Sequence, residues 1–522
     1  MATHTAEAIQ PKDAIRHIVV IFQENVSFDH YFATYPHALN PPGEPAFHAL
    51  PGTPSVEGLS GDLLTKNPNF LNADNGAGRA NPFRLGRDQA VTADQDHGYR
   101  AEQLAFNRGK MDLFPKSVGH ADGPRVPGRK DGVAATSGLT MGYFDGNTVT
   151  AYWNYAQHFS MSDHQFDVTF GPSTPGAINL ASGQTNGVVN DQNAAGGMVE
   201  DGNGGFTLIS DPQPIGDKCS STSDALVHMT GRNIGDLLTA AHISWGFFQG
   251  GFDLTAVNPN GTTGCRRSSK SLANFYTRDY LPHHEPFQYY KSTANPLHAR
   301  PKSVTTIGTN ADGPANHQYD VHDFDDALKA GNFPAVAFLK APAYEDGHAG
   351  YSSPLDEQRF VVEQVNLIQQ QPDWAHTVII IAYDDSDGWY DHLMGPTVNG
   401  SETKQDELNG SGKCGNGSTA LGGVDPKAKH AYGRCGFGPR LPLLVISPWA
   451  KANYVDHTIT DQSSILRLIE DVFLKGQRIG QGSFDATSGS LNGMFDFSKN
   501  TPPNAQKLIL DPDTGLVKSQ GN

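Results

Sequence analysis

HIVVIFQENVSFDHYF, residues 17–32, decides how this chain is read. The apolar residues Ile18 to Phe22 run without interruption and stop just short of Glu24 and Asn25. The same pattern returns about 360 residues later in HTVIIIAYDDSDGWYDH, residues 376–392, where Val378 to Tyr383 lead into Asp384 and Asp385. A continuous short apolar run is the pattern of a strand covered on both faces. A buried strand that ends in two adjacent oxygen acceptors reads as half of a metal site. Two such halves predict an α/β hydrolase holding a cation at the carboxyl edge of its sheet.

Further strands are expected at Ile18–Phe22, Ile243–Phe248, Ala335–Leu339, Val378–Ala382 and Leu443–Ile446. Helical periodicity places one helix over 355–370, with Val361, Val362, Val365 and Ile368 in a stripe. A second is expected over 461–474, with Ile465, Leu466, Ile469, Val472 and Phe473 inward and Asp461 as N-cap. An aromatic helix is expected around Trp153. The resulting fold class is α/β, a mostly parallel sheet covered by helices on both faces, in one large domain over residues 1–522. Two polar stretches, 41–87 and 401–434, read as loop insertions over the sheet edge. Residues 498–522 read as a tail on the surface.

Composition narrows the function. The chain has 522 residues, 37% hydrophobic and 18% charged, with a net charge of −17. That balance argues against a nucleic-acid partner, which would require a basic face. No run of 18 apolar residues occurs, so no membrane-spanning segment is expected. Transient contact with a membrane surface stays open. The four cysteines, Cys219, Cys265, Cys414 and Cys435, fall in two sequence-local groups within polar loops and include no C-x-x-C. An even count in such loops favours two disulfides, of open connectivity, and a secreted or periplasmic location. The first 17 residues show no apolar core of a signal peptide.

Four pieces carry the chemistry. Glu24, Asn25, Asp384 and Asp385 offer only oxygen ligands, which suit Ca²⁺, Mg²⁺ or Mn²⁺, with zinc as the alternative. One divalent ion is expected. FGPSTPGAINLASG, residues 170–183, puts Ser173 and Thr174 at a loop-to-helix junction, where a hydroxyl beside unpaired N–H groups suits a nucleophile; the bland reading is a helix N-cap. His97, His283, His284 and His348 lie in polar or Pro-bounded loops, where imidazoles can bond phosphate oxygens or protonate a leaving alkoxide. Aromatics near these motifs (Tyr280, Phe287, Tyr289, Tyr290, Trp389, Tyr390) suit either a cage for a quaternary ammonium or core packing.

These motifs are similar to those of the bacterial phosphoesterase family. ENVSFDHYF resembles its ENRSFDHYFG signature, and the likeness extends over residues 15 to 475 through NRGKMDLF, HHEPFQYY, EDGHAGYS, YDDSDGWYDH and GFGPRLPLLVISPWA. The resemblance implies an alkaline-phosphatase-like fold and a phosphoric ester hydrolase of phospholipase C type, with acid phosphatase as the alternative. The substrate would be a phospholipid or a phosphate monoester. It implies Glu24, Asn25, Ser173, Asp384 and Asp385 around the metal, and Ser173 as nucleophile with Thr174 as its rival. Asn25, His97 and Thr174 would touch substrate, and His283, His284 and His348 would serve the phosphate and leaving group. Val26 replaces a basic or polar residue of the signature, and Gly176-Ala177 stand where many relatives carry Asn-Arg. The C-terminal β domains of larger relatives are not expected here, which shortens the list of membrane contacts. A sulfatase reading fails on the same segment, because Ser173-Thr174-Pro175-Gly176-Ala177 lacks the Arg of C/S-x-P-x-R.

Overall fold

The computed structural model describes residues 8–121, 132–274, 276–415 and 431–521. Nine strands form its main sheet: β1 (His17–Gln23), β2 (Ser160–Phe166), β3 (Trp245–Gln249), β4 (Gln318–Tyr319), β5 (Val336–Lys340), β6 (Thr377–Tyr383), β7 (Arg440–Ile446), β8 (Tyr454–Asp456) and β9 (Thr460–Asp461). Their order is β4-β3-β5-β1-β6-β7-β2-β8, with β9 also paired to β2. Only β7 runs antiparallel to its neighbours. The other pairs are parallel, so the sheet is mixed and mostly parallel, as expected. Every residue of β1, β6 and β7 is buried, which requires cover on both faces.

Register brings the two motifs together. β1 and β6 stay in step from His17↔Thr377 to Gln23↔Tyr383. Glu24 and Asp384 therefore leave the sheet side by side. β2 had no apolar run to announce it. Its residues SMSDHQF are mostly polar yet buried; Ser160 Oγ donates to Lys451 O and Met494 O at 2.8 Å and Asp163 Oδ2 accepts the Glu57 N–H, while the Gln165 amide has no hydrogen-bond partner among the described residues. β7 starts three residues earlier than expected, since Pro442 falls at a register irregularity between Leu441 and Leu443 where a proline costs no ladder bond.

The helices follow their periodicity. Pro354–Gln369 buries Val361, Val362, Val365 and Ile368, and its N-cap Ser353 accepts from Asp356 N–H. Ser463–Phe473 starts two residues later than expected. Asp461 belongs to β9, but its carboxylate still accepts the Ser463 N–H at 2.8 Å, so it caps from one residue further out. Thr150–His158, around Trp153, is buried at every position.

The insertions are more than loops. Leu59 and Ala80 from the first and Leu408 and Cys414 from the second share a small core with Tyr99, Phe106, Phe114 and Tyr390. The second insertion includes residues 416–430, which lie outside the described residues. The tail also differs from expectation. Lys507–Leu510 and Val517–Gly521 form a hairpin whose Leu508 and Leu510 are fully buried, with Leu508 exchanging two hydrogen bonds with the Gln369 side chain. The cysteines pair as Cys219–Cys265 and Cys414–Cys435. No described helix is long and apolar enough to cross a membrane.

Candidate active site

The ends of β1, β2, β5 and β6 converge on one buried group of side chains. Ser173 is the first residue of the helix Ser173–Ser182, after Pro172 at the N-cap. It does not cap the helix. Its hydroxyl instead donates toward Glu24 Oε2 and Asp385 Oδ2, each at 3.1 Å. Thr174 is placed otherwise: its N–H donates to Asp211 Oδ1 at 2.8 Å, and its buried hydroxyl bonds none of the carboxylates. Pro175 has no N–H, so the helix start presents fewer phosphate-facing donors than the sequence suggested.

Gly176 explains one departure from the family pattern. A Cβ there would lie 2.1 Å from the Asp384 carbonyl oxygen. The bare backbone lets the Ser173 helix press directly on the end of β6.

Asn25 adopts a left-handed backbone (φ 58°), which a non-glycine residue takes up at some cost. The turn is held by Asp384 Oδ1, which accepts from the N–H groups of Asn25 at 3.0 Å and Asp385 at 2.8 Å. The Asn25 amide nitrogen lies 3.4 Å from both His97 Nε2 and Asp387 Oδ1, while its Oδ1 is buried without a partner. His284 Nδ1 lies 3.1 Å from Glu24 Oε1 and stands edge-on to His283, ring centroids 4.4 Å apart. His348 follows β5 in a polar loop yet is buried, with Nδ1 2.6 Å from Ala349 O and its ring 5.8 Å from His97.

A model of the phosphoesterase family matches residues 15–474. The chain belongs to that family. A non-hemolytic phospholipase C of Burkholderia pseudomallei is 25% identical over 498 residues, covering 93% of this chain and 59% of that protein. A non-hemolytic phospholipase C of Pseudomonas aeruginosa is 23% identical over 97% of this chain and 61% of its own length. Phospholipase C A of Mycobacterium tuberculosis is 24% identical over 95% of this chain and 79% of its own length. This chain thus spans about three-fifths of the first two relatives. Among solved structures, a variant of alkaline phosphatase PafA aligns with a TM-score of 0.32 at 10% identity, over 66% of this chain and 94% of that one.

Around Ser173 the carboxylates outnumber the cations among the described residues. Burial, then Glu24, pushes Asp384 up to about 8, with Lys340 opposing. Burial pushes Asp385 up to about 8, with His97 opposing and Asp384 adding to the rise. Asp346 and Asp387 are raised well above the usual carboxylate range, chiefly by burial. Such a group is short of positive charge. Asn25 Oδ1 is buried without a hydrogen-bond partner, and with the two carboxylate oxygens 3.1 Å from Ser173 Oγ it supplies the donor types that fit a hard divalent ion. Glu24, His284 and Asp346 also lie close enough to share an ion, a mixed set that admits zinc.

The imidazoles divide. Burial, and for His284 the neighbouring His283 and Lys340, keeps His283, His284 and His348 below the ordinary value and therefore neutral at pH 7. Burial pushes His97 the same way, but Asp385, Asp387 and Asp94 outweigh it and hold its proton well above the ordinary value.

Sequence reasoning missed Lys340, fully buried at the end of β5, which pairs with Glu24 and lies 3.5 Å from Asp384 Oδ2. A lysine closing the run AVAFLK was the available signal. It also missed Glu102, pushed up to about 8 chiefly by burial, which accepts from Ser386 Oγ at 2.7 Å and Gly171 N–H at 3.1 Å. No sequence signal marked that residue. The aromatics resolve as core packing. Tyr280 donates to Asp217, Tyr289 to Pro212 O and Tyr290 to Ser182, while Trp389 stacks on His30 at 3.9 Å and Tyr390 accepts from Asn67. Phe287 is wholly buried against Trp245 and Phe247.

Proposed function

We propose that this chain hydrolyses phosphoric esters of the phospholipase C type, diesters like phosphatidylcholine, through Ser173 and with one divalent cation. One observation carries the reading: Ser173 Oγ sits between Glu24 Oε2 and Asp385 Oδ2, each at 3.1 Å. Glu24, Asn25, Ser173 and Asp385 would hold the ion, with Asp384 Oδ2 beside Lys340 completing the ring. When bound, the ion supplies positive charge to a phosphoryl oxygen and to the crowded carboxylates. Calcium, magnesium or manganese suits these oxygens.

The chain's own residues do the rest. Glu24 or Asp385 takes the hydroxyl proton as Ser173 Oγ attacks phosphorus. The Asn25 amide and the neutral His283 donate hydrogen bonds to phosphoryl oxygens, while His284 and His348, whose Nδ1–H groups are taken up by Glu24 and the Ala349 carbonyl, shape the pocket around them. His97, the protonated imidazole, gives its proton to the departing alkoxide, a role the sequence had assigned to its neighbours. Water then cleaves the phosphoserine, and His97 takes a proton back. The names of the bacterial relatives support a lipid diester as substrate. Two disulfides support secretion or a periplasmic location.

Substrate profiling tests the reading. p-Nitrophenyl phosphorylcholine should be cleaved faster than p-nitrophenyl phosphate, and both activities should fall on chelation. Activity on the monoester alone would replace the phospholipase reading with a phosphatase one. Full activity after thorough removal of metal would end the cation's part in it.

A further inference from the structure

A separate cluster of ligating side chains lies on β2 and the segment after β8. Asp163 and His164 are neighbours on β2, and His457 follows β8 directly. Asp163 Oδ1 lies 2.8 Å from His164 Nδ1 and 2.7 Å from His457 Nδ1. The two rings are nearly perpendicular, with centroids 5.9 Å apart. The Asp163 side chain is fully buried, while that of His457 is 63% exposed. Asp163 Oδ2 accepts the Glu57 N–H at 2.8 Å, and the Glu57 carboxylate lies 3.4 Å from His164 Nε2.

We propose that Asp163, His164 and His457 form a structural site for a zinc-class divalent ion, apart from the Ser173 centre and with one position open to water. Two imidazole nitrogens and a carboxylate oxygen are the donor types that zinc takes, and the three ligand atoms already lie within 4.8 Å of one another. Zinc–ligand bonds of about 2.0–2.1 Å in a tetrahedron separate the ligands by about 3.3 Å. The two carboxylate–imidazole distances have to open by about half an ångström, the two imidazole nitrogens already lie within 4.8 Å of each other, and the exposed His457 has room to adjust.

The surroundings are those of an oriented site. A ligating histidine is steered by an acceptor on its other ring nitrogen, which is where Glu57 stands toward His164. The Glu57 N–H likewise fixes the carboxylate of Asp163. The ion would join segments far apart in the chain, since Asp163 and His457 are 294 residues apart. A cross-link that closes long loops stabilises by removing freedom from the unfolded chain. β2 leads through Phe166 toward Ser173, so occupancy would stiffen the strand that carries the nucleophile loop.

The test is zinc stoichiometry on the full chain stripped with chelator, by equilibrium dialysis and metal analysis, for the wild type, His457→Ala and Glu57→Gln. The exposed His457 can be replaced without opening the core. His457→Ala should bind one zinc equivalent fewer than wild type and lose the zinc-dependent rise in Tm. Glu57→Gln should weaken that equivalent by about 10–100-fold. With cobalt in place of zinc, the visible absorption of the extra equivalent should vanish in His457→Ala. Equal stoichiometry and an equal zinc-dependent Tm in wild type and His457→Ala would overturn the proposal, whatever the substrate assays return.

Discussion

The two long motifs meet twice, and the meetings differ in charge balance. One is the Ser173 centre, where Glu24 comes from the first motif and Asp385 from the second. The other lies a few residues further on, where Asp29 meets Asp391 and His392. There Arg440 Nη2 bonds Asp29 Oδ1 at 3.0 Å, its Nε bonds Asp391 Oδ2 at 3.1 Å, and His392 Nδ1 lies 2.6 Å from Asp29 Oδ2. Backbone N–H groups of Asp29 and His392 satisfy further lone pairs. That cluster is charge-balanced and its carboxylates are hydrogen-bonded on both oxygens. At Ser173 the acids face, among the described residues, the cations Lys340 and His97, and the Asn25 carbonyl oxygen has no hydrogen-bond partner there. A buried acid with its counter-charge in place clamps the fold, whereas an unmatched group of acids marks the place for a cation and a reaction.

Substitutions can break this contrast. Ser173→Ala should show the largest effect, a fall in turnover on the order of a thousandfold or more, with the metal still bound by the remaining ligands but more weakly, measured by steady-state kinetics and metal titration. Unchanged turnover would remove Ser173 from the chemistry. Arg440→Met should instead act on the fold. It leaves Asp29 and Asp391 buried without their guanidinium, a loss of about 3–5 kcal/mol in chemical denaturation. A loss of activity at unchanged stability would erase the distinction between the two clusters.

Gly176→Ala probes the contact between them and the nucleophile helix. The added methyl meets the Asp384 carbonyl at 2.1 Å, so about 1–3 kcal/mol of stability should go, together with activity, as Ser173 shifts. Wild-type stability in this variant would mean that the helix has room to move.

pH acts more gradually, in increments spread over several units. Asp384 and Asp385 sit near 8 in the folded chain, above their ordinary 3.8, so the metal-free folded state holds protons that the unfolded state has released. The stabilising contribution is complete below about pH 4 and is lost as pH rises through about 8. Over that window each retained proton lowers stability by about 1.4 kcal/mol per pH unit. A divalent ion should flatten the dependence, because it replaces those protons. Denaturation of metal-free and metal-loaded protein at pH 5, 6, 7 and 8 checks this.

β1 and β6 were legible because a strand buried on both faces has to be apolar, and their acid ends stood out against that run. β2 was not, since SMSDHQF buries polar groups whose partners come from remote segments. Ser173 was legible through the glycine and proline before it, but its direction was not. The choice between Ser173 and Thr174 depends on which hydroxyl meets Glu24 and Asp385, a contact across about 150 and 210 residues. The histidines were legible as a group, but which of them keeps a proton is set chiefly by Asp385 and Asp387, almost 300 residues from His97, with the neighbouring Asp94 adding to them. Lys340 looked like the end of a strand, and its role appears only once Glu24 and Asp384 lie beside it.

The most direct test of the account is anomalous diffraction from crystals of the full chain soaked in manganese. An anomalous peak bonded to Glu24 and Asp385 and facing Ser173 Oγ is the predicted result. A metal-saturated crystal with no peak between those carboxylates, and with Lys340 alone balancing them, would contradict it.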